Sequence, residues 1–557
     1  MIFSKVNLDW PKSALKSNYH FGGMTEQKRA LLPTNSLVSP ILTDLYQITM
    51  VYAYWKEKRQ NDFAVFDLFF RKNPFKGEYT VFAGLEEALA LIQNFKFTIS
   101  DIEYLRGLFP RMENEFFDWL ATLDCSGIRV FAVKEGTIVF PRVPVIRVEG
   151  HLGVGQLLET PLLNLLNYAS LVTTNATRFL RAAGPHVELI EFGLRRAQGP
   201  DGGLSASRYA YMAGFAGTSN VLAGKLHNIP VKGTNAHAFI QAHLSLDQVK
   251  TAAIDGKNIT EIALKYRREL EYQRTNNGEL AAFISYAAAF PDAFLALVDT
   301  YDTMASGIPN FICVALALHE LGHQAIGIRL DSGDLSYLSR WTRAEFIAIG
   351  ERYKVSYFKN LNITASNDIN EAVLNSLNEQ GHAINTYGIG THLVTCQAQP
   401  ALGMVYKLVE INGSSRIKLS EDIAKVTIPG AKSAFRLLGE NGKPILDVMI
   451  GSKEPPPTVG KRILCRHPFD ELRRAYVTPS KTISLHELVW DGSNGGLIAD
   501  LPTLEQRREY VWQQFQLIRE DVVRSLNATP YKVSVSNELY DFIHDMWLHE
   551  YPVHDLH

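Results

Sequence analysis

Ala325-Ile-Gly-Ile-Arg-Leu-Asp-Ser-Gly-Asp-Leu335 decides how the rest of the chain is read. It opens with an apolar, β-branched run of strand length, too short for an ordinary helix. The run breaks into Arg329, Asp331, Ser332, Gly333 and Asp334. From there the pattern turns helical, with Ser332 or Asp334 available as an N-cap. A strand that ends in one guanidinium, two carboxylates and a glycine, just before a helix, suits a ligand rich in phosphate and hydroxyl. Arginine clamps an anion with two bonds. Carboxylates accept from sugar hydroxyls or hold Mg²⁺, and the helix N-terminus offers free N–H groups. An ordinary strand-to-helix turn with a capping Asp accounts for the same letters. Repetition favours the functional reading.

The same grammar recurs from about Gln156. A long helical pattern, Leu157 to Leu180, leads into short apolar strands expected at His186–Glu191, Pro230–Lys232, Ala293–Val298, Ala325–Leu330, Leu361–Thr364 and Ala383–Thr386. Each is followed by a polar or glycine loop and then a helix. Strands alternating with helices call for a parallel sheet, most simply an α/β barrel. Loops at the C-terminal strand ends of such a barrel share one face, where ligands bind. That places Arg195, Arg196, His237, Asp299, Arg329, Asp331 and Thr391 around one pocket.

The flanking regions read differently. Residues 1–36 carry little periodicity and are expected to be a disordered leader. Residues 37–155 read as an N-terminal α+β region and 156–400 as the barrel with its catalytic face. Residues 401–557 read as β-hairpins, one of Ala434 to Leu438 and Pro444 to Ile450 around Glu440-Asn-Gly442, and helices near Thr503–Ser525 and Asn537–His549, that pack with the N-terminal region. At 557 residues the chain has room for more than one core, and a formal net charge of −2 gives no general attraction to nucleic acid or membrane. No apolar run reaches spanning length. Four widely spaced cysteines, Cys125, Cys313, Cys396 and Cys465, fit a reducing compartment, and the cytoplasm is the expected location.

Individual stretches carry chemistry of their own. Gly388-Ile-Gly-Thr391 reads as a phosphate nest or a plain turn. Glu191-Phe-Gly-Leu-Arg-Arg196 offers an aromatic face beside two cations, fit to stack a planar ring and hold an anion. His237 reads as general base, phosphoryl-accepting nucleophile or structural histidine. Asp299 and Asp302 suit Mg²⁺ or ribose, or cap the next helix. His319-Glu-Leu-Gly-His323 matches H-E-x-x-H, which on a continuing helix would bind zinc with Glu320 as base. A strand begins almost at once after it, so the two histidines are expected to close a helix C-terminus instead.

Taken together, six segments resemble the nicotinate phosphoribosyltransferases, type II relatives of the nicotinamide and quinolinate phosphoribosyltransferases. They are Leu42-Thr-Asp-Leu-Tyr-Gln-Ile-Thr-Met50, Glu191 to Gly203, Gly233 to Phe239, Leu297 to Tyr301, Arg329 to Leu335 and Gly388 to Thr395. The resemblance implies an irregular α/β barrel plus an α+β domain built from the N-terminal and C-terminal regions. It implies transfer of phosphoribosyl from 5-phosphoribosyl 1-diphosphate (PRPP) to nicotinate, coupled to ATP hydrolysis, with Mg²⁺ or Mn²⁺ present. By resemblance His237 is phosphorylated from ATP. Phe192 and Tyr46 sandwich the pyridine ring, Tyr46 reaching across a homodimer whose active site lies at the subunit interface. Thr234 and Arg329 hold nicotinate; Thr391, with Gly390, and Arg195 and Arg196 meet PRPP. Asp331 takes ribose hydroxyls or Mg²⁺, and Asp299 lies on the ring side. Remaining alternatives are a phosphoribosyltransferase for nicotinamide or another pyridine, a zinc peptidase through His319, Glu320 and His323, and a catalytically silent scaffold.

Overall fold

The computed structural model describes residues 31–550 apart from 251 and 421. The leader expected over 1–36 therefore lies outside the described residues as far as residue 30. Beyond it the chain is tied down: Leu31 N–H donates to Gln93 (3.2 Å), and Thr34 donates through N–H (3.0 Å) and hydroxyl (2.5 Å) to Glu87. Two compact units result, one of Ala176–Gln397 and the other of the described residues before and after it.

The first unit is built on a parallel sheet in the order Glu188–Glu191, Thr386–Ile389, Asn362–Ala365, Gly327–Leu330, Leu295–Leu297. Beyond Glu191 the sheet continues through two single parallel bridges, to Thr218 and then to Val231. The strand expected at Pro230–Lys232 is thus reduced to one bridge, because Pro230 has no N–H to donate and Gly233 follows at once. The ring closes through a side chain: Asn235 Oδ1 accepts the backbone N–H of Leu297 (3.2 Å). These strands are hydrophobic on both faces, as burial under helices requires; Ile328, Leu330, Ile363, Ala365, Tyr387 and Ile389 are fully covered. Gly327 stands where strands approach closely, since a Cβ there would lie 2.7 Å from the backbone nitrogen of Asn362. Helices Ile308–Glu320, Leu335–Tyr353 and Glu371–Gln380 separate successive strands.

In the second unit the N-terminal and C-terminal regions share one sheet. Its order is Ser414–Ser415, Met404–Ile411, Phe63–Phe70, Ile146–His151, Ile128–Ala132, Glu487–Asp491, Gly496–Leu497. Phe63–Phe70 pairs with Met404–Ile411 on one side and Ile146–His151 on the other, so every residue after Phe63 is buried. A six-stranded sheet carries the hairpin expected at Ala434–Leu438 and Pro444–Ile450, observed as Lys432–Leu438 and Pro444–Gly451. Its core holds Leu437, Leu446, Val448 and Cys465. The buried Arg436–Asp447 ion pair (2.8 Å) also belongs to this sheet, where both charges satisfy each other. The long helix of the sequence pattern appears as Leu152–Leu157 followed by Glu159–Ala183. No described helix is long and apolar enough to cross a membrane.

Candidate functional site

Arg329, next to last in its strand, sends its guanidinium across neighbouring strand ends. Nε donates to Ser366 Oγ (2.7 Å), Nη1 to Thr234 Oγ1 (3.0 Å) and Nη2 to Asp331 Oδ1 (2.8 Å). A guanidinium has five N–H donors. Three are occupied, which leaves one on each terminal nitrogen, a fork of the spacing a carboxylate accepts. Phe192 lies against this group, with Arg329 Cζ 5.6 Å from its ring centroid. Phe192 follows directly from Glu188–Glu191, and its backbone N–H donates to Ile389 O (2.8 Å). It rests on Gly388, where a Cβ would sit 2.6 Å from Phe192 Cε2. Absence of a side chain at 388 is what makes room for the aromatic face.

His237 opens the short helix His237–Gln241. Its Nδ1 lies 3.1 Å from Thr300 Oγ1, and its Nε2 faces two carboxylates, Asp299 Oδ1 at 3.8 Å and Asp331 Oδ2 at 3.7 Å. The imidazole is 41% exposed while the Asp299 side chain is 3% exposed, so the ring is open to a ligand above a covered acid. Asp299 Oδ2 accepts from Asp331 N–H (3.2 Å) and Ser332 Oγ (2.5 Å). Its Oδ1 is buried without a hydrogen-bond partner among the described residues. Burial raises the pKa of Asp331, but the Ser366 hydroxyl, Arg329 and His237 outweigh it and hold the carboxyl below its usual range. Asp331 is therefore an anion at neutral pH.

Gly390 and Thr391 follow Thr386–Ile389 and stand beside the Phe192 turn, with half-buried Thr391 opening the helix Thr391–Val394. Arg195 and Arg196 lie on the exposed turn Leu194–Arg196 and make no ion pair among the described residues. Tyr46 is 45% exposed on Leu45–Lys56 of the other unit. Asp302, by contrast, is engaged as a cap, its Oδ1 accepting Ala305 N–H (2.6 Å).

The H-E-x-x-H stretch does not form a metal centre. The helix Ile308–Glu320 ends before Gly322, which takes positive φ (91°), so His319 and His323 do not share a helical face. His323 bonds Asp292 (2.9 Å) and Glu320 bonds Lys265 (2.9 Å) and Tyr266 (2.7 Å). No group of three or more His, Cys, Asp or Glu placed to hold a metal ion occurs among the described residues.

Some residues of the site carried no motif of their own. Thr300 and Ser366 sit in loops already suspected from their position after strands, yet a lone hydroxyl gives no signal of its partner. Glu191 is another. Its carboxyl accepts from Gly193 N–H, Ser207 Oγ (2.8 Å) and Thr218 Oγ1 (2.5 Å), pinning the turn that bears Phe192. Burial pushes its pKa up, partly offset by those bonds. The second unit has a small cavity lined by Asp67, Phe69, Arg142, Val426, Ile428 and Lys432.

Comparison with known proteins accounts for this arrangement over nearly the whole chain. Family models described as the nicotinate phosphoribosyltransferase N-terminal domain, family and C-terminal domain match residues 41–167, 187–441 and 431–543. Nicotinate phosphoribosyltransferase 1 of Arabidopsis thaliana is 54% identical over 540 residues, covering 94% of this chain and 97% of its own. The Homo sapiens nicotinate phosphoribosyltransferase is 42% identical over 526 residues, 91% of this chain and 96% of its own. A crystal structure of human nicotinic acid phosphoribosyltransferase matches with a TM-score of 0.82 at 40% identity, covering 91% of this chain and 100% of that one. A nicotinate-nucleotide pyrophosphorylase from Pyrococcus furiosus (TM-score 0.55, 20% identity, 86% and 95% covered) shares the fold. With three consecutive domains matched and relatives aligned almost end to end, the chain belongs to the nicotinate phosphoribosyltransferase family.

Proposed function

We propose that this chain transfers the phosphoribosyl group of PRPP to the ring nitrogen of nicotinate, giving nicotinate mononucleotide and diphosphate, the entry step of NAD salvage from nicotinate. The observation that carries the reading is the Phe192–Arg329 pair: an aromatic face beside a guanidinium with one free donor on each Nη. Nicotinate is a flat ring bearing a carboxylate, and this pair meets both features. An amide presents only one acceptor oxygen and no charge to the same fork, which disfavours nicotinamide. In the transfer, the pyridine nitrogen bonds to the anomeric carbon as the bond to the diphosphate oxygen breaks. Stacking holds the nitrogen in line and supplies much of the rate by orientation. Gly390, Thr391, Arg195 and Arg196 are the groups on this rim suited to phosphate.

ATP enters through His237. In the tautomer that carries its proton on Nε2, towards the two carboxylates, the Nδ1 lone pair accepts the Thr300 hydroxyl or attacks phosphorus. Attack at the γ-phosphorus breaks its bond to ADP and forms a phosphohistidine, later cleaved by water. The added charge above Asp299 and Asp331 couples ATP use to the order of the site. Asp299 and Asp331 also fit Mg²⁺ or Mn²⁺, since Oδ1 of Asp299 is buried without a bond and Asp331 stays anionic. A divalent cation bound there supplies charge neutralisation for phosphate oxygens. A homodimer would bring Tyr46 of the partner subunit over the free face of the ring. The cytoplasm suits four buried cysteines that form no disulfide among the described residues.

Product analysis with nicotinate or nicotinamide, PRPP and Mg²⁺, with and without ATP, tests the reading. Nicotinate mononucleotide should form, and ATP should accelerate it. His237→Ala should abolish the ATP stimulation while an ATP-independent reaction persists. Equal use of nicotinamide would overturn the substrate assignment, and ATP stimulation surviving in His237→Ala would overturn the role of His237.

A further inference from the structure

Asp299 and Thr300, both neighbours of the His237 ring, belong to a loop that ends in one turn of π-helix, Thr303–Gly307, capped by Asp302. Such turns are rare and concentrate at functional sites. This one packs tightly on the strand before the loop, for a Cβ on Gly307 would overlap the Val298 carbonyl. Beneath it lies a small buried polar cluster. Ser306 Oγ donates to Glu279 Oε2 (2.6 Å) and accepts Asn276 N–H (2.9 Å). Asn310 Nδ2 donates to the same Glu279 Oε2 (3.0 Å) and to Asn276 O (3.1 Å). Glu279 and Asn310 are both fully buried.

Two atoms of the cluster have no hydrogen-bond partner among the described residues, Glu279 Oε1 and Asn310 Oδ1. Both are acceptors when the carboxyl is ionised, and a pair of buried, unsatisfied acceptors is costly. A single proton on Oε1 resolves both. Asn310 Nδ2 already donates to Oε2, so an acid O–H on Oε1 donating to Asn310 Oδ1 would complete the reciprocal pairing of a carboxylic acid with an amide. We infer that Glu279 acts as an uncharged acid whose pairing with Asn310 and Ser306 holds the π-turn, and thereby positions Asp299 and Thr300 around His237 for ATP-coupled turnover. Glu279 is a positioning residue in this role, since it touches neither substrate nor the reacting histidine. Burial pushes its carboxyl up to about 7; bonds from Ser306 and Asn310 pull against that, and the charges of Asp299 and Asp302 add to it. An ionised Glu279 would also add a third negative charge behind the loop.

This inference rests on the phosphohistidine reading of His237, and the test separates the two. In the full chain, kcat and KM for nicotinate are measured with and without ATP for wild type, Glu279→Gln and Glu279→Ala, with Tm for each. Glutamine keeps one acceptor and one donor in place, so Glu279→Gln should stay within about twofold of wild type. Glu279→Ala should lose ATP-stimulated kcat by roughly a hundredfold, the scale of a small misplacement of reacting groups, with the nicotinate KM little changed. Infrared difference spectra of wild type minus Glu279→Gln should show a protonated carboxyl band. Impairment of Glu279→Gln equal to that of Glu279→Ala, or full ATP stimulation in Glu279→Ala, would overturn the inference. So would the absence of the protonated band. Lack of ATP stimulation in wild type would instead remove the His237 reading, and the infrared band would then decide the acid–amide pair alone.

Discussion

Replacing Arg329 with lysine keeps the charge and removes the fork. In the native site Nε, Nη1 and Nη2 each hold one neighbour, Ser366, Thr234 and Asp331, so the guanidinium plane is fixed from three sides. An ammonium on this stem can reach one of these groups, or one oxygen of a carboxylate ligand, but not the set. At least one charge-assisted bond to nicotinate disappears, about 1.5–3 kcal/mol. Thr234 and Ser366 also lose their donor, and looser orientation adds about 1 kcal/mol at this level of bonding. The sum, about 2.5–4 kcal/mol, corresponds to a fall of roughly 70- to 900-fold in kcat/KM for nicotinate. Most of it should appear in KM, because the carboxylate is bound equally in ground and transition states. The preference for nicotinate over nicotinamide should shrink by a similar factor, since the amide never used the fork. Steady-state kinetics on both substrates, with Tm measured in parallel, provides the check. An Arg329→Lys variant that keeps its Tm and loses less than about threefold in kcat/KM would refute the assignment of this guanidinium to the nicotinate carboxylate.

Two other outcomes follow from local geometry. Gly388→Ala would drive a methyl group into the Phe192 ring, so the variant should lose about 1–3 kcal/mol of stability and raise the nicotinate KM, read by thermal unfolding and kinetics. His486 sets a pH dependence in the second unit. In this half-buried residue Nε2–H donates to Pro144 O (2.7 Å) and Nδ1 accepts Ala434 N–H (3.3 Å), and burial of the imidazole pushes its pKa down to about 4. The unfolded chain, with histidine near about 6.5, then binds the proton more readily. Stability from this group is complete above about 6.5 and declines as pH falls toward about 4, which thermal unfolding across that range should show for wild type and much less for His486→Gln.

How far the letters reached depends on whether a residue's role is local. Arg329, Asp331 and Asp299 were legible because each follows a short apolar run, and the strand end is a position with fixed geometry. The hairpin from Lys432 to Gly451 was legible because Asn441-Gly442 supplies a turn between two largely apolar runs. Val231 was harder: one bridge beside a proline looks in sequence like a strand and in structure is a single contact. Ser366 and Glu279 were not legible. A hydroxyl or a carboxylate acquires its meaning from partners dozens of residues away, and no local spacing encodes them. The helix expected to run from Thr503 to Ser525 stops at Leu517, where Ile518 turns extended and Arg519 folds back onto Asp521.

The ring of strands in the first unit is stitched unevenly. Between Gly327–Leu330 and Asn362–Ala365 four residue pairs are in register, whereas Val231 joins by one bridge and Asn235 by one amide oxygen. Thr234 and His237 hang on that thinly sewn edge. On the proposed reading, a phosphoryl group on the histidine would push against the part of the wall with the fewest backbone bonds to break, and its neighbour Thr234 is tethered to Arg329. Under that proposal, strain at the weakest stitch would pass through Thr234 to the guanidinium, so ATP chemistry and nicotinate grip would share one mechanical joint without any long relay through the core.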